Sequence, residues 1–194
     1  MSFDLCFPTA ILNSKISNYD TINSSLLTRI SEIQQKIPSG GVNWLGRPYN
    51  TCGTFDIVQD PAFETVMQEV TKMVHVYASR LGVNIHNNTF TCKEGWLNVY
   101  KKTDFQEFHY HGGFLISAVY YVKTPPNSSQ IIFESPLPVT MNPLPIKLHG
   151  PLTDERVRYN VEEGQVVVFR SHLKHCVPAH LGDEERISLA FNFK

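Results

Sequence analysis

From Thr89 to Lys194 the chain is a succession of short segments rich in β-branched and aromatic residues, each closed by strong breakers. The segments begin with Phe90, Trp96, Leu97, Val99 and Tyr100 and continue at 115–122, 130–134, 157–161, 165–169 and 186–193. Between them lie Pro125-Pro126-Asn127, a proline-rich stretch over 136–151, Glu163-Gly164 and Leu181-Gly182-Asp183. Runs this short, rich in β-branched and aromatic side chains that fit a pleated surface, read as strands. Many short strands with a turn signal after each predict a β-sandwich or barrel, consistent with a jelly roll.

The first part has a different period. Ile22, Leu26, Ile30, Ile33 and Ile37 recur at helical spacing before Pro38-Ser39-Gly40-Gly41, which predicts a helix over 19–37. A second helix is expected where Asp60 caps and Pro61 occupies the first turn. Its stripe is Phe63, Val66, Met67, Val70, Met73, Val74, Tyr77 and Leu81, with Gly82 as the stop. The fold class is therefore mainly β with packing helices. One domain over 1–194 is expected, with 1–88 a helical support and 89–194 the jelly-roll core.

Composition narrows the function. The formal net charge of −1 gives no basic face of the kind nucleic acids require. No run approaches the ~18 apolar residues of a membrane span. Cys6, Cys52, Cys92 and Cys176 form no CxxC pair, so zinc-ribbon and thioredoxin readings lack support. A cytoplasmic protein with reduced thiols is expected, and its oligomeric state is left open, a homodimer being compatible with the chain.

Of the eight histidines, His75, His86, His149, His172 and His180 sit in contexts where a structural or solvent-facing role is usual. His109 and His111 differ, because positions i and i+2 of an extended strand point to one side, and imidazole suits borderline divalent metals. His-x-His alone is a weak signal. His175, after the apolar segment 165–169, supplies a third candidate ligand. Beyond it Arg186 and Ser188 share one face of the last segment, opposite Ile187, Leu189 and Phe191. A guanidinium and a hydroxyl so placed make a clamp for a carboxylate.

A His-x-His pair, a long gap, a distal histidine and then Arg-x-Ser resembles the double-stranded β-helix of the 2-oxoglutarate/iron(II) oxygenases. The chain is most similar to the bacterial and phage subfamily with an H-x-H…H metal motif. WLNVYKKTDFQEFHYH, SAVYYVKTP, IIFESP and VVFRSHLKHCVP…ERISLAFN carry the likeness, and even CFPTAIL resembles that subfamily's start. The resemblance implies Fe(II) on His109, His111 and His175. It implies 2-oxoglutarate on Arg186 and Ser188, with Tyr100 and Asn98 nearby. It also implies consumption of O2 and hydroxylation of a peptide or small molecule, with release of succinate and CO2. Only one of Tyr120 and Tyr121 can face that pocket.

One departure stands out. The wider superfamily has two histidines and one carboxylate, whereas His111 occupies the carboxylate position here. A second register, with His111 first and Gly113 leaving the third position to an exogenous anion, is also open. Two rival functions remain: a redox-inactive, cupin-like metal module, and a nucleic-acid demethylase of the same superfamily. The segments 40–56 and 136–151 are the expected rims of the pocket.

Overall fold

The computed structural model describes residues 2, 7–41, 43–86, 89–137, 145, 150 and 153–194. In chain order the elements are β1 (Ile11–Lys15), α1 (Tyr19–Lys36), β2 (Tyr49–Asn50), α2 (Glu64–Arg80), β3 (Cys92–Tyr100), β4 (Gln106–His109), β5 (Ile116–Lys123), β6 (Ile131–Glu134), β7 (Arg156–Tyr159), β8 (Gln165–Arg170), β9 (His175–Val177) and β10 (Arg186–Phe193). They form a six-stranded sheet, β1-β8-β5-β10-β3-β2, and a four-stranded sheet, β4-β9-β6-β7. Every pairing is antiparallel. This is the expected double-stranded β-helix. The first 88 residues are not purely helical, however, since β1 and β2 close the two edges of the larger sheet. Residue Cys6 and most of 136–151 lie outside the described residues.

Both faces of the larger sheet are buried, and strand parity decides what each face carries. On β5, Ala118, Tyr120 and Val122 pack with the helices, together with Val166 and Val168 of β8 and Ile187, Leu189, Phe191 and Phe193 of β10. The helices contribute Ile22, Leu26, Ile30 and Ile33 from α1, and Val66, Val70, Val74 and Tyr77 from α2. The opposite parity, Val119, Tyr121, Val167 and Phe169, meets Ile131 and Phe133 of the smaller sheet. Two-sided burial explains why these strands read as continuous apolar runs rather than as clean alternation.

The helix boundaries follow local chemistry. Asp60 accepts a hydrogen bond from Ala62 N, but it caps a single 3-10 turn, Pro61–Phe63, that leads into α2. Gly82 takes φ +80 beyond the helix end. The buried stripe is narrower than the sequence suggests, because Leu81 is 40% exposed. Gly164, at φ +77, is required where it stands: a Cβ there would lie 2.2 Å from the Tyr19 ring.

One buried polar bridge ties helix to sheet. Asn23 Nδ2 donates to Val122 O at 2.8 Å, and Tyr120 donates its hydroxyl to Asn23 Oδ1 at 2.6 Å. Tyr120 therefore belongs to the helix side. Tyr120→Phe leaves a buried acceptor unpaired and is expected to lower stability by about 1–3 kcal/mol in urea denaturation. Among the described residues the hydroxyl of Tyr121 has no hydrogen-bond partner, so Tyr121→Phe should cost under about 1 kcal/mol. Equal losses in the two variants would contradict this account.

Candidate metal centre

The smaller sheet brings two histidines face to face. His109 ends β4, His175 opens β9, and the two are register partners. His111 lies past the end of the strand, so period-2 geometry is not what aims it. Its backbone N–H donates to Ser171 O at 2.9 Å, which folds the chain back toward β9. The ring centroids stand 4.2 Å apart for His109 and His175, 5.3 Å for His109 and His111, and 5.0 Å for His111 and His175. One ligating nitrogen from each lies within 4.8 Å of the others, a group that could hold a metal ion.

The hydrogen bonds fix which nitrogen is free. His109 Nδ1 meets Glu107 O at 2.8 Å, and His175 Nδ1 meets Leu173 O at 2.9 Å. Carbonyl oxygens only accept, so both Nδ1 atoms carry the proton and both Nε2 lone pairs are free. His111 Nδ1 meets Asn192 Oδ1 at 2.6 Å. The orientation of that amide is set in turn, because Asn192 Nδ2 donates to Glu94 Oε1 at 2.7 Å and Ser117 donates its hydroxyl to Oδ1 at 2.7 Å. The same tautomer results at all three residues. His111 Nε2 is buried with no partner among the described residues, and a coordinated cation would satisfy it. Burial holds the His111 imidazole down to about 4 and lowers His109 and, further, His175, where the other two imidazoles add to the effect. At neutral pH the site is three unprotonated imidazoles, the form a metal takes.

Arg186, Ser188, Tyr100 and Asn98 line the same cavity as the three histidines, and so do Tyr121, Gln106, Trp44 and Trp96. Arg186 is 1% exposed, and among the described residues no carboxylate is within ion-pair distance of it. Its Nε donates to Ser129 O at 3.1 Å and its Nη1 to Ser188 Oγ at 3.4 Å. The guanidinium carbon lies 4.8 Å from the Tyr100 ring and 5.1 Å from that of Tyr121. A buried cation without an anion is costly, and the arrangement asks for an anionic ligand. Burial pushes the Tyr100 phenol up to about 12 and raises Tyr121 as well, so both remain hydroxyl donors at neutral pH.

The sequence-read residues thus converge, and the structure adds others. Tyr121 rather than Tyr120 faces the cavity. Asn192 shares the parity of Arg186 and Ser188 on β10, which was a readable signal, whereas Gln106 carried none. Segment 40–56 supplies Trp44, whose ring centroid lies 6.3 Å from that of His109. Glu107 pins that segment by accepting from Leu45 N at 2.9 Å and Gly46 N at 3.1 Å. Gly113 sits in a turn at φ +84 and does not line the cavity. Of the remaining histidines, His75 is half-buried, His86 and His172 are exposed, His180 is buried, and His149 lies outside the described residues.

The family model described as "Putative 2OG-Fe(II) oxygenase" matches residues 94–192. No curated protein matches the chain. Among solved structures, a Pseudomonas putida prolyl-4-hydroxylase superposes with TM-score 0.60 at 18% identity, covering 96% of this chain and 93% of that one. The Trichoplax adhaerens prolyl hydroxylase, solved with a hypoxia inducible factor peptide fragment, gives 0.62 at 14% identity, with 95% and 82% covered. The non-heme, alpha ketoglutarate dependent epimerase SnoN from nogalamycin biosynthesis gives 0.64 at 11% identity, with 95% and 76% covered.

Two outcomes follow from this geometry. Asn192→Leu frees the His111 ring and should weaken Co(II) binding about 10–100-fold in an absorbance titration; unchanged affinity would refute the orienting role. The metal-free protein should also lose stability in acid. The folded imidazoles titrate below the ordinary 6.5, so the unfolded chain binds more protons between that value and about 4. The contribution is complete above 6.5 and falls with pH, by about 2 kcal/mol at pH 5 for His111 alone. Urea denaturation of apoprotein at the two pH values measures it.

Proposed function

The chain belongs to the 2OG-Fe(II) oxygenase family, and from that premise we propose that His109, His111 and His175 hold its iron and that Arg186 holds the far carboxylate of 2-oxoglutarate. The chain is an Fe(II)- and 2-oxoglutarate-dependent oxygenase. Bound iron supplies the chemistry of O2 activation, and 2-oxoglutarate is consumed to succinate and CO2. The chain's own residues position and exclude. The three Nδ1–H donations preorganise the Nε2 lone pairs, so little is lost in ordering ligands when metal binds. Arg186 offers a fixed, charged fork, with Ser188 beside it and Tyr121 presenting an unpaired hydroxyl. Phe169, 4.7 Å from the His175 ring, and Trp96, 5.4 Å from that of His111, keep the surroundings dry.

The observation that carries this reading is the pairing, in one cavity, of three free Nε2 atoms with a buried guanidinium that has no carboxylate partner among the described residues. A redox-inactive metal module gives Arg186 no task. We read the reaction as hydroxylation of a peptide or small molecule, supported by the fold shared with prolyl hydroxylases, within one domain over 1–194. Asn98 and Tyr100 complete the co-substrate's surroundings. Free thiols at Cys52, Cys92 and Cys176 support a cytoplasmic setting, and no helix among the described residues is long and apolar enough to cross a membrane.

Anaerobic protein with Fe(II) should develop a weak visible charge-transfer band on titration with 2-oxoglutarate. Arg186→Ala should raise the 2-oxoglutarate dissociation constant about 10–100-fold while Fe(II) affinity is kept, as expected for loss of charge-assisted hydrogen bonds. A band unaffected by that substitution would sink the assignment.

A further inference from the structure

A buried arginine serves a ligand only when its fork is aimed, and its flexible stem does not aim itself. Here the aim is set from behind. Arg186 Nε donates to the backbone carbonyl of Ser129 at 3.1 Å, which leaves the Nη end of the guanidinium toward the cavity. Ser129 lies between β5 and β6, outside any strand, so sheet pairing does not fix it. Its backbone N–H donates instead to His180 Nδ1 at 3.3 Å. Since Nδ1 accepts there, the imidazole proton is on Nε2, and Nε2 donates to Glu184 O at 2.7 Å.

His180 is itself immobilised. It is 0% exposed, its backbone N–H donates to Asp104 O at 2.8 Å, and its carbonyl accepts from Thr103 N at 2.8 Å. Gly182 packs so closely that a Cβ there would lie 2.9 Å from His180 Cε1. With both ring nitrogens committed, His180 has no edge left for metal or substrate, and it does not line the cavity. We propose that His180 is a positioning residue for the co-substrate: through Ser129 it fixes the guanidinium of Arg186 and so sets affinity for the far carboxylate of 2-oxoglutarate. The inference rests on the assignment of Arg186 above.

Side-chain amides dissect the two ring nitrogens. In H180N the Oδ1 can replace Nδ1 as acceptor for Ser129, whereas in H180Q the amide replaces only the Nε2 donor. Each variant, anaerobic and loaded with Fe(II), is titrated with 2-oxoglutarate and with 2-oxobutyrate, which has the same chelating head and no far carboxylate. H180Q should weaken 2-oxoglutarate about tenfold and leave 2-oxobutyrate within about twofold, while H180N stays within about threefold of the native protein for both acids. G182A, which crowds the imidazole without removing it, should show the same selective loss and serves if H180Q does not fold. Equal weakening of both acids, H180N as weak as H180Q, or no change in H180Q would overturn the proposal. If native protein binds Fe(II) and 2-oxobutyrate but not 2-oxoglutarate, the assignment of Arg186 fails, and this inference falls with it.

Discussion

The parity of β10 is the constraint on which the rest of the molecule depends. This strand lies between β5 and β3 in the larger sheet, so neither edge is free and its register cannot slip without moving both neighbours. Ile187, Leu189, Phe191 and Phe193 bury against the helices, and that apolar set locks the other parity inward. Arg186, Ser188 and Ala190 then line the cavity, and Asn192 reaches His111. A one-residue shift would place a guanidinium in the helix-packed core and phenylalanine in the cavity. Hydrophobic burial on one face thus fixes the polar geometry on the other.

Within that frame the centre is held by donors that never face a ligand. Each imidazole uses Nδ1 on a fixed acceptor, and two of those acceptors are main-chain carbonyls of residues two positions earlier, Glu107 and Leu173. Such local bonds survive whenever the strand ends are formed. His111 is the exception, because its orienting partners, Asn192 and Ser117, come from β10 and β5. The resemblance places His111 where the wider pattern has a carboxylate, and of the three imidazoles it is the one whose tautomer depends most on the larger sheet. A neutral ligand there leaves more positive charge on a bound metal than a carboxylate would, and the anionic co-substrate is the natural compensation.

Among the described residues, four buried polar atoms lack partners: Gln106 Oε1, His111 Nε2, Tyr121 OH and Ser129 Oγ. Native proteins leave few such atoms. Three of these residues line the cavity, and the fourth is the residue whose carbonyl holds Arg186. Their concentration in one place, beside a guanidinium with no carboxylate partner among the described residues, describes a site whose hydrogen bonding is completed by what it binds. Asn23, buried between helix and sheet, is by contrast paired on both sides, with Tyr120 and with Val122.

Much of this was legible in the chain itself. The change from helical to strand texture near Thr89 specified the class, because periodicity follows from which faces must be buried. His175 and Arg186-x-Ser188 stood out because their chemistry has few structural uses at that spacing, and the resemblance in 167–192 tied them to a cofactor. What the sequence could not determine was anything set by contacts between distant segments. Tyr120 and Tyr121 are equivalent in one dimension and are separated only by which face of β5 meets Asn23. The strands β1, β4 and β9 are too short or too polar to announce themselves and exist because neighbours pair with them. His111 is aimed by Ser171 and Asn192 rather than by a strand period, and nothing in one dimension sets His180 apart from the other histidines of ordinary context. Local propensity and pattern are one-dimensional properties; the orientation of a buried polar group is a property of everything packed around it.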